Sequence, residues 1–395
     1  MKSLNFDAVI VGCGVGGLYT ALNLPKEISI LMINKSDLDS SDSMLAQGGI
    51  CVLHDPDDYD AYFEDTMRAG HYENRKESVA IMIRSSRAII NDLIKLGVRF
   101  EKNADGSLKY TREGAHSRPR ICFHEDVTGK EITAALLRHV QRLPNVTIMN
   151  YTTMTDITEK NGSCSGIKMT TADNEEMLVH TPFVIMATGG IGGLYEHSTN
   201  FPHLTGDGCR IAKEHGVELE HMDYVQIHPT SIYTQHKGRS FLISESARGE
   251  NAILLNNSKE RFVNELLPRD VVSNAIYDEM KKEGSDHVWM SFENVPNDVI
   301  LNHFPHIYEK CLEEGYNILK EPIPIVPAQH YFMGGIHVDS NSETTMPNLF
   351  AVGETSCNGV HGKNRLASNS LLESLVFAAR AAKEITRRTS GEVKK

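Results

Sequence analysis

The sequence predicts an α/β protein with a dinucleotide-binding domain and a second, inserted α+β domain. The first observation is a short apolar run at residues 8–11 that leads into a glycine-rich turn. The second is a similar run at residues 183–187, which also ends in glycines. The third is a change to a polar, charge-rich composition between residues 225 and 328. We therefore assign residues 1–224 and 329–395 to the first domain and residues 225–328 to the second.

The N-terminal turn has the spacing of a Rossmann-like dinucleotide site. Residues 8–11 are Ala-Val-Ile-Val, as expected of a strand buried on both faces. Gly12, Gly14 and Gly17 then form G-x-G-x-x-G. These glycines permit a tight turn, close approach to a pyrophosphate and close packing of the next helix. A helix over residues 18–24 and a strand over 28–33 complete the unit, so the N-terminus of the helix faces the phosphates.

The end of the second strand departs from a plain NAD site. Such a site usually has Asp or Glu there, on the ribose 2′-hydroxyl. Here the residues are Asn34 and Lys35. We expect Lys35 to contact a phosphate or an adenine edge.

The bulk properties exclude several classes of protein. A net charge of −12 argues against a general nucleic-acid or anionic-membrane surface. No apolar run approaches transmembrane length, and the N-terminus leads directly into the first strand, so we expect no signal peptide and a cytoplasmic protein. The seven cysteines contain no C-x-x-C pair, which favours reduced thiols over disulfides, zinc or an iron–sulfur centre. We expect no metal.

The remaining elements follow from periodicity and turn signals. Helices are predicted over residues 59–70, 77–96, 126–143 and 209–215. Strands are predicted at 98–100, after a helix stop at Gly97, and at 146–150, with a hairpin over 157–171. The closely spaced Pro322, Pro324 and Pro327 predict an extended linker back to the first domain.

Residues 110–120 form a basic segment in an acidic protein. They contain three arginines, a histidine and one acid within nine residues, at positions 112, 113, 116, 118 and 120. Taken alone, the segment fits equally well a solvated loop or part of a pocket for a small acidic substrate.

Five further motifs identify a family. They are Ala-Gln-Gly-Gly at 46–49, Ala-Thr-Gly-Gly at 187–190, Thr-Gly-Asp-Gly at 205–208, a buried strand ending in Gly-Glu at 353–354, and Asn-Arg-Leu-Ala-Ser-Asn-Ser-Leu at 364–371. Together with the first turn, they resemble the flavoproteins of the succinate dehydrogenase and fumarate reductase group, in the same order along essentially the whole chain. The resemblance implies an FAD-binding domain and an inserted capping domain.

The resemblance also implies which residues hold FAD. They are Gly12, Cys13, Gly14, Val15, Gly16, Gly17, Lys35, Asp42, Ser43, Met44, Leu45, Ala46, Gln47, Gly48, Gly49, Thr153, Met154, Asp207, Glu354, Ser370 and Leu371. The dehydrogenases attach FAD to a histidine four residues before the first alanine of Ala-Gln-Gly-Gly. Because that residue is Asp42 here, we expect non-covalent FAD.

Within the group, the segment Arg-Glu-Gly-Ala-His-Ser at 112–117 resembles the aspartate oxidases. They carry a glutamate where the dicarboxylate dehydrogenases carry glutamine, and Glu113 is that residue. A carboxylate is a natural partner for a substrate ammonium group, whereas it would repel succinate, which has no amine. The resemblance therefore implies L-aspartate as the substrate.

The resemblance implies a polar set around that substrate. Arg365, His228 and His330 would hold its carboxylates, and Gln226, Ser244 and Ser368 would add neutral donors. Ser244 stands where the family usually has threonine, which keeps the hydroxyl. Arg269 matches the proton-handling arginine, and neighbouring cations such as Arg248 would favour its neutral form. Arg269 could instead clamp a carboxylate, and the sequence leaves both roles open.

The implied reaction is oxidation of L-aspartate to iminoaspartate, the first step of the quinolinate route to NAD. The Cα–H would leave as hydride to the flavin, and O₂, giving H₂O₂, or fumarate would accept the electrons. Direct binding of quinolinate synthase stays open. The alternatives are a soluble fumarate reductase or succinate-oxidising flavoprotein, and a flavin-bound protein used for binding or sensing. The family usually continues into a C-terminal helical domain. We expect that domain to be absent or truncated here, naturally or by trimming, because the given sequence stops at residues 392–395 after a basic helix end.

Overall fold

The computed structural model describes residues 2–234 and 239–391, so the predicted chain end at 392–395 lies outside the described residues. The strands are β1 Lys2–Asn5, β2 Ala8–Val11, β3 Ile30–Ile33, β4 Ile50–Cys51, β5 Ile121–Cys122, β6 Val146–Met149, β7 Thr153–Lys160, β8 Ser163–Thr170, β9 Glu176–His180, β10 Val184–Met186, β11 Leu219–Glu220, β12 Val225–Ile232, β13 Ile253–Leu255, β14 Val288–Ser291, β15 Ile323–Phe332, β16 Gly335–His337, β17 Leu349–Ala351 and β18 Ser356–Cys357. The helices are α1 Val15–Asn23, α2 Asp42–Leu45, α3 Tyr59–Ala69, α4 Lys76–Lys95, α5 Thr128–Val140, α6 Asp207–Glu214, α7 Glu245–Gly249, α8 Arg269–Glu283, α9 Asn297–His303, α10 Pro305–Glu313 and α11 Ser370–Thr389. None of the described helices combines the length and the apolar character that crossing a membrane requires.

A five-stranded parallel sheet lies at the centre of the fold, in the order β17-β10-β2-β3-β6. Its strand β2 is buried on both faces, which explains the unbroken apolar run. Ala8 and Ile10 belong to the core shared with α1, α4, α5 and α11, whereas Val9 and Val11 belong to a second core. That second core includes residues of β7, β8 and β9, which form a four-stranded sheet with β1. The α/β fold and the Rossmann-like unit are confirmed.

The inserted segment forms its own antiparallel sheet, in the order β12-β15-β14-β13. This sheet and helices α7–α10 share a third apolar core, so the inserted part is α+β as predicted. Strand β15 continues to Phe332 and therefore crosses the boundary that we predicted after residue 328.

Two local predictions are wrong. Residues 322–328 are not a linker, because Ile323–Phe332 is a strand paired with both β12 and β14. The pairing with β12 shifts register between His228 and Ser231, and such an irregularity tolerates prolines, which cannot donate to a ladder. Residues 98–100 are not a strand either. The backbone N–H of Arg99 donates instead to Oε1 of Glu131, at 3.0 Å.

Candidate active site

A large cavity, called here the main cavity, opens at the carboxyl ends of the central strands. It is lined by the residues that end or follow β2, β3, β10 and β17, namely Val11, Gly12, Ile33, Asn34, Ala187, Thr188, Val352 and Gly353. Ligands of open α/β sheets bind at this edge. The cavity continues to the inserted segment and encloses about 1700 Å³ including its open mouth.

The glycine-rich turn forms the floor of the main cavity. Gly12 has φ +115°, and a Cβ there would lie 2.1 Å from the carbonyl oxygen of Ala187. A Cβ on Gly17 would lie 2.1 Å from the carbonyl oxygen of Gly12, so α1 packs directly on the turn. Helix α1 has no acidic residue in its first turn, which leaves its positive end available for phosphate.

Most of the predicted cofactor residues line the main cavity. They are Gly12, Cys13, Gly14, Val15, Gly16, Lys35, Asp42, Ser43, Leu45, Ala46, Gln47, Gly48, Gly49, Thr153, Met154, Asp207, Glu354, Ser370 and Leu371. Gly17 supports the turn from within α1, and Met44 packs against the apolar core.

The wall of the cavity carries polar atoms without partners. Ser41 Oγ, Asp42 Oδ2 and Gln47 Oε1 are buried, lie on lining residues and have no hydrogen-bond partner among the described residues. Buried polar groups in proteins are normally bonded, so these atoms call for a polar ligand. With the cradle of the turn and the helix end, they fit FAD.

Lys35 lies at one end of the main cavity. Its ammonium group forms an ion pair with Asp207 and donates to the carbonyl oxygen of His203 at 2.9 Å. Asp207 is the first residue of α6. Both side chains line the cavity, and Lys35 also donates to Oγ1 of Thr205 at 3.4 Å, so all three donors of its ammonium group bond the protein.

Asp42 and Glu354 are half-buried acidic residues on the cavity wall, close enough for the charge of one to affect the other. Oδ1 of Asp42 accepts from the backbone N–H of Phe201 at 3.0 Å, and Oε1 of Glu354 accepts from that of Phe332 at 2.8 Å. Burial raises the pKa of both carboxyl groups, and the charge of Asp42 raises the pKa of Glu354 further.

Arg269 is anchored at the other end of the cavity. Its Nε donates to Oε2 of Glu245 at 2.5 Å, and its Nη1 donates to Oε1 of Gln226 at 2.8 Å. The amide nitrogen of Gln226 in turn donates to Oδ1 of Asn364 and to the carbonyl oxygen of Arg365, both at 2.8 Å. Gln226 therefore holds Arg269 and does not line the cavity.

Glu245 is the counterion of two buried arginines. Burial acts to raise its pKa, but Arg269 and Arg248 outweigh that effect and hold the pKa below its ordinary value. Arg248 lies 3.3 Å from Glu245 and donates to the carbonyl oxygen of Glu265 at 2.7 Å, outside the cavity lining. Burial lowers the pKa of Arg248.

His228 and His330 meet edge to face on the cavity wall, with ring centroids 5.0 Å apart. Nδ1 of His228 accepts from the backbone N–H of Thr230 at 3.2 Å. The neutral ring must then carry its proton on Nε2, which is buried and has no partner among the described residues. Burial and the charges of Arg269 and Arg365 lower the pKa of both histidines, so both are neutral at neutral pH.

Arg365 lines the cavity and has an unbonded donor. Its guanidinium lies over the ring of Tyr331 at 4.4 Å and donates to Oγ of Ser370 at 3.0 Å. Its Nε is buried without a hydrogen bond, and no described carboxylate forms an ion pair with it. Burial and the charge of Arg269 lower its pKa to about 10, so Arg365 remains protonated at neutral pH.

Glu113 lies between two serines. Ser368 Oγ donates to Oε2 at 2.5 Å, and Ser246 Oγ donates to Oε1 at 2.8 Å. Burial and the neighbouring Glu245 raise the pKa of the Glu113 carboxyl. No described cation forms an ion pair with Glu113, so this carboxylate can accept a cation from a ligand.

The basic segment resolves into two environments. Arg120 is fully buried and bonds Asp58, Asp65 and Nδ1 of His116, whereas Arg112 and Arg118 are exposed. Nε2 of His116 bonds the carbonyl oxygen of Ala367 at 3.0 Å. The segment thus packs beside Ser368 and brings Glu113 into the cavity. It is not simply a solvated loop.

Sequence reasoning did not single out several residues at this end. Glu245, Thr199, Tyr331 and Arg239 line the cavity, and Ser246 bonds Glu113 from behind it. The run Ser-Glu-Ser-Ala-Arg-Gly at 244–249 was the available signal, because it concentrates polar residues in the inserted segment. Ser244 lines the cavity, and its Oγ caps α7 by accepting from the N–H of Ser246 at 3.2 Å.

The chain matches known proteins along most of its length. A family model described as an FAD binding domain matches residues 7–371. L-aspartate oxidase of Clostridium perfringens is 49% identical over 380 residues, which are 96% of this chain and 86% of the relative. L-aspartate oxidase of Clostridium acetobutylicum is 47% identical over 384 residues, covering 97% of this chain and 88% of the relative.

Two solved structures superpose on this chain along its whole length. A variant of E. coli quinol fumarate reductase FrdA is 30% identical and superposes with a TM-score of 0.92, covering 100% of this chain and 72% of that one. Sdh1 of Mycobacterium smegmatis is 28% identical, with a TM-score of 0.83, and the match covers 100% of this chain and 70% of that one.

Proposed function

This chain belongs to the FAD-dependent L-aspartate oxidase family, and we propose that it oxidises L-aspartate to iminoaspartate. The observation that carries the proposal is Glu113, a buried carboxylate without a cationic partner among the described residues, beside Arg269. A substrate ammonium group supplies that missing partner. The product would feed the quinolinate route to NAD.

Arg365 and His228 provide the donors for the substrate carboxylates. The Nε of Arg365 and the Nε2–H of His228 are buried and unpaired among the described residues. Charge-assisted bonds to a carboxylate would satisfy both groups. His330 contributes from the adjacent position, with Nδ1 2.7 Å from Oγ1 of Thr199. The pair of histidines stays neutral, so the net positive charge at this end comes from arginine.

Arg269 acts in this proposal as an oriented donor. Its Nε and Nη1 are committed to Glu245 and Gln226, and its Nη2 makes no hydrogen bond to the described residues. The bond to the Glu245 carboxylate fixes the orientation of the guanidinium. Of the two roles open from sequence, we therefore propose the carboxylate clamp for Arg269.

Glu113 accepts the proton that must leave the substrate ammonium before the Cα–H bond breaks. Its raised pKa makes it a stronger base than an ordinary glutamate. FAD held in the main cavity would supply the two-electron acceptor, and O₂, giving H₂O₂, or fumarate would take up the electrons. The residues of the inserted segment, with Arg269 and Ser244 on the wall, keep water from the reacting carbon.

Anaerobic bleaching of the FAD-loaded protein tests the proposal. L-aspartate should abolish the long-wavelength flavin absorption, while succinate should not. Bleaching by succinate alone would reject the proposal in favour of a dicarboxylate oxidoreductase, which the 30% identity to FrdA makes the alternative. Bleaching by neither compound would reject both.

A further inference from the structure

The carboxylate of Glu113 is held from two separate parts of the chain. Ser368 lies in the loop before α11, and Ser246 lies on α7 of the inserted segment. Glu113, Ser246 and Ser368 are 3%, 2% and 7% exposed, so water does not replace these bonds. The two serine hydroxyls are the hydrogen-bond donors to this carboxylate among the described residues.

The charges around Glu113 oppose one another. Glu245 disfavours its ionised form, whereas Arg269 favours it. The charge of Glu113 acts to raise the pKa values of Arg248, Arg365 and the buried thiol of Cys51, so all three groups lie near it. With burial acting against ionisation, the serine hydroxyls carry part of the stabilisation that an ion pair would otherwise provide.

We propose that Ser246 is a positioning residue that determines substrate specificity, because its hydroxyl keeps Glu113 ionised and oriented for the substrate amine. The inference rests on the proposed function and deepens it. Without the Ser246 hydroxyl, Oε1 of Glu113 loses its hydrogen-bond donor. A larger fraction of Glu113 is then protonated. A protonated Glu113 binds an ammonium group poorly and repels succinate less.

The substitution Ser246→Ala removes this hydroxyl with little other change. The backbone N–H of Ser246 bonds Oγ of Ser244 and remains, so the cap of α7 is retained. Alanine also favours a helix. Ser231→Ala is the matched control, since Ser231 is a buried serine of the same segment whose hydroxyl donates to the carbonyl oxygen of Val326 at 2.7 Å.

The experiment measures the rate of flavin bleaching by L-aspartate and by succinate across pH for the FAD-loaded wild type and variants. For Ser246→Ala we expect the ratio of kcat/KM for L-aspartate over succinate to fall about tenfold, as for a lost bond to a charged group. The acid limb of the L-aspartate profile should move to higher pH. Ser231→Ala should change neither quantity. Ser246→Cys keeps the shape of the side chain but weakens the donor, so it should shift the kcat/KM ratio and the acid limb in the same directions. This variant replaces Ser246→Ala in the experiment if Ser246→Ala does not fold.

A double-mutant cycle separates this role from a structural one. In a Glu113→Gln background, adding Ser246→Ala should leave the ratio unchanged, because the group through which Ser246 acts is gone. An unchanged ratio in Ser246→Ala, or equal losses with both substrates, would overturn the inference. A wild type that does not oxidise L-aspartate would instead overturn the proposed function.

Discussion

The Nε atom of Arg269 lies 2.5 Å from Oε2 of Glu245, so this guanidinium is neutralised within the protein. Arg365, in contrast, forms no ion pair with a described carboxylate and keeps a buried, unbonded Nε. Two arginines of one cavity therefore differ in what they offer a dianionic ligand. Arg365 offers charge, and Arg269 offers a fixed direction.

Replacing Arg269 with leucine should remove turnover and keep FAD. We expect kcat with L-aspartate to fall about 10³-fold, because an oriented donor to the reacting substrate is lost. Glu245 would also be left with only Arg248. Steady-state rates and the flavin content of the purified variant measure both effects. Arg99→Leu, at an exposed arginine, should behave as wild type. Retention of most activity would contradict the assigned role.

Replacing Arg365 with lysine should weaken substrate binding. A lysine keeps the charge but cannot supply the planar pair of donors, so KM for L-aspartate should rise roughly 10- to 100-fold. The inhibition constant of succinate, measured as a competitive inhibitor, should rise in parallel, because succinate presents the same two carboxylates. Arg112→Lys, at an exposed neighbour of Glu113, is the control. An unchanged KM would mean that Arg365 does not bind a substrate carboxylate.

Replacing Gly12 with alanine should prevent FAD binding. The new Cβ would overlap the carbonyl oxygen of Ala187, and the backbone has φ +115°. Gly162→Ala separates the two causes, because Gly162 also has positive φ, +75°, but open space around it. The flavin-to-protein absorbance ratio should collapse for the first variant and stay normal for the second. Normal flavin content in Gly12→Ala would show that the turn is not the cofactor cradle.

His116 should make stability depend on pH. Burial and the charge of Arg120 lower its pKa from 6.5 to about 4. As the pH falls below 6.5 the unfolded chain takes up a proton that the folded chain refuses. The stability contributed by neutral His116 is therefore complete above pH 6.5 and is lost progressively toward pH 4.

Urea unfolding of wild type and His116→Asn measures this contribution. The stability gap between them should narrow by about 2 kcal/mol from pH 7.5 to pH 5. His180→Asn, which makes the same substitution at an exposed histidine, is the control. A gap for His116→Asn that does not narrow would mean that His116 titrates normally in the folded protein.

Much of the fold was accessible from sequence because its signals are local. The run at Ala8–Val11 and the three glycines of the turn specify strand, turn and helix within a few residues. The misassigned prolines show the limit of such signals. Pro324 is paired with Trp289 of β14, a partner 35 positions away that no local pattern announces.

The sequence predicts which residues lie at or near the candidate site. It predicts much less well what each side chain contacts there. Gln226 and Arg248 are polar and lie close to the cavity, yet their side chains serve other protein groups. Ser246 and Glu245 lie in the polar run at 244–249, but that run does not show which groups they contact. Their importance comes from Glu113 and Arg269, which are distant in sequence. Which way a polar side chain points is decided by tertiary packing, so the roles assigned to these residues stay predictions.

The burial of all seven cysteines has a chemical consequence for the proposed reaction, in which O₂ could accept the electrons. Burial raises the pKa of Cys13 and Cys122 to about 12, and the other five thiols are raised as well. Peroxide oxidises thiolates to sulfenic acid, and thiolates are scarce at such pKa values. Even Cys13, on the wall of the main cavity, is 2% exposed. The seven thiols should therefore react slowly with the peroxide that the proposed reaction with O₂ would release.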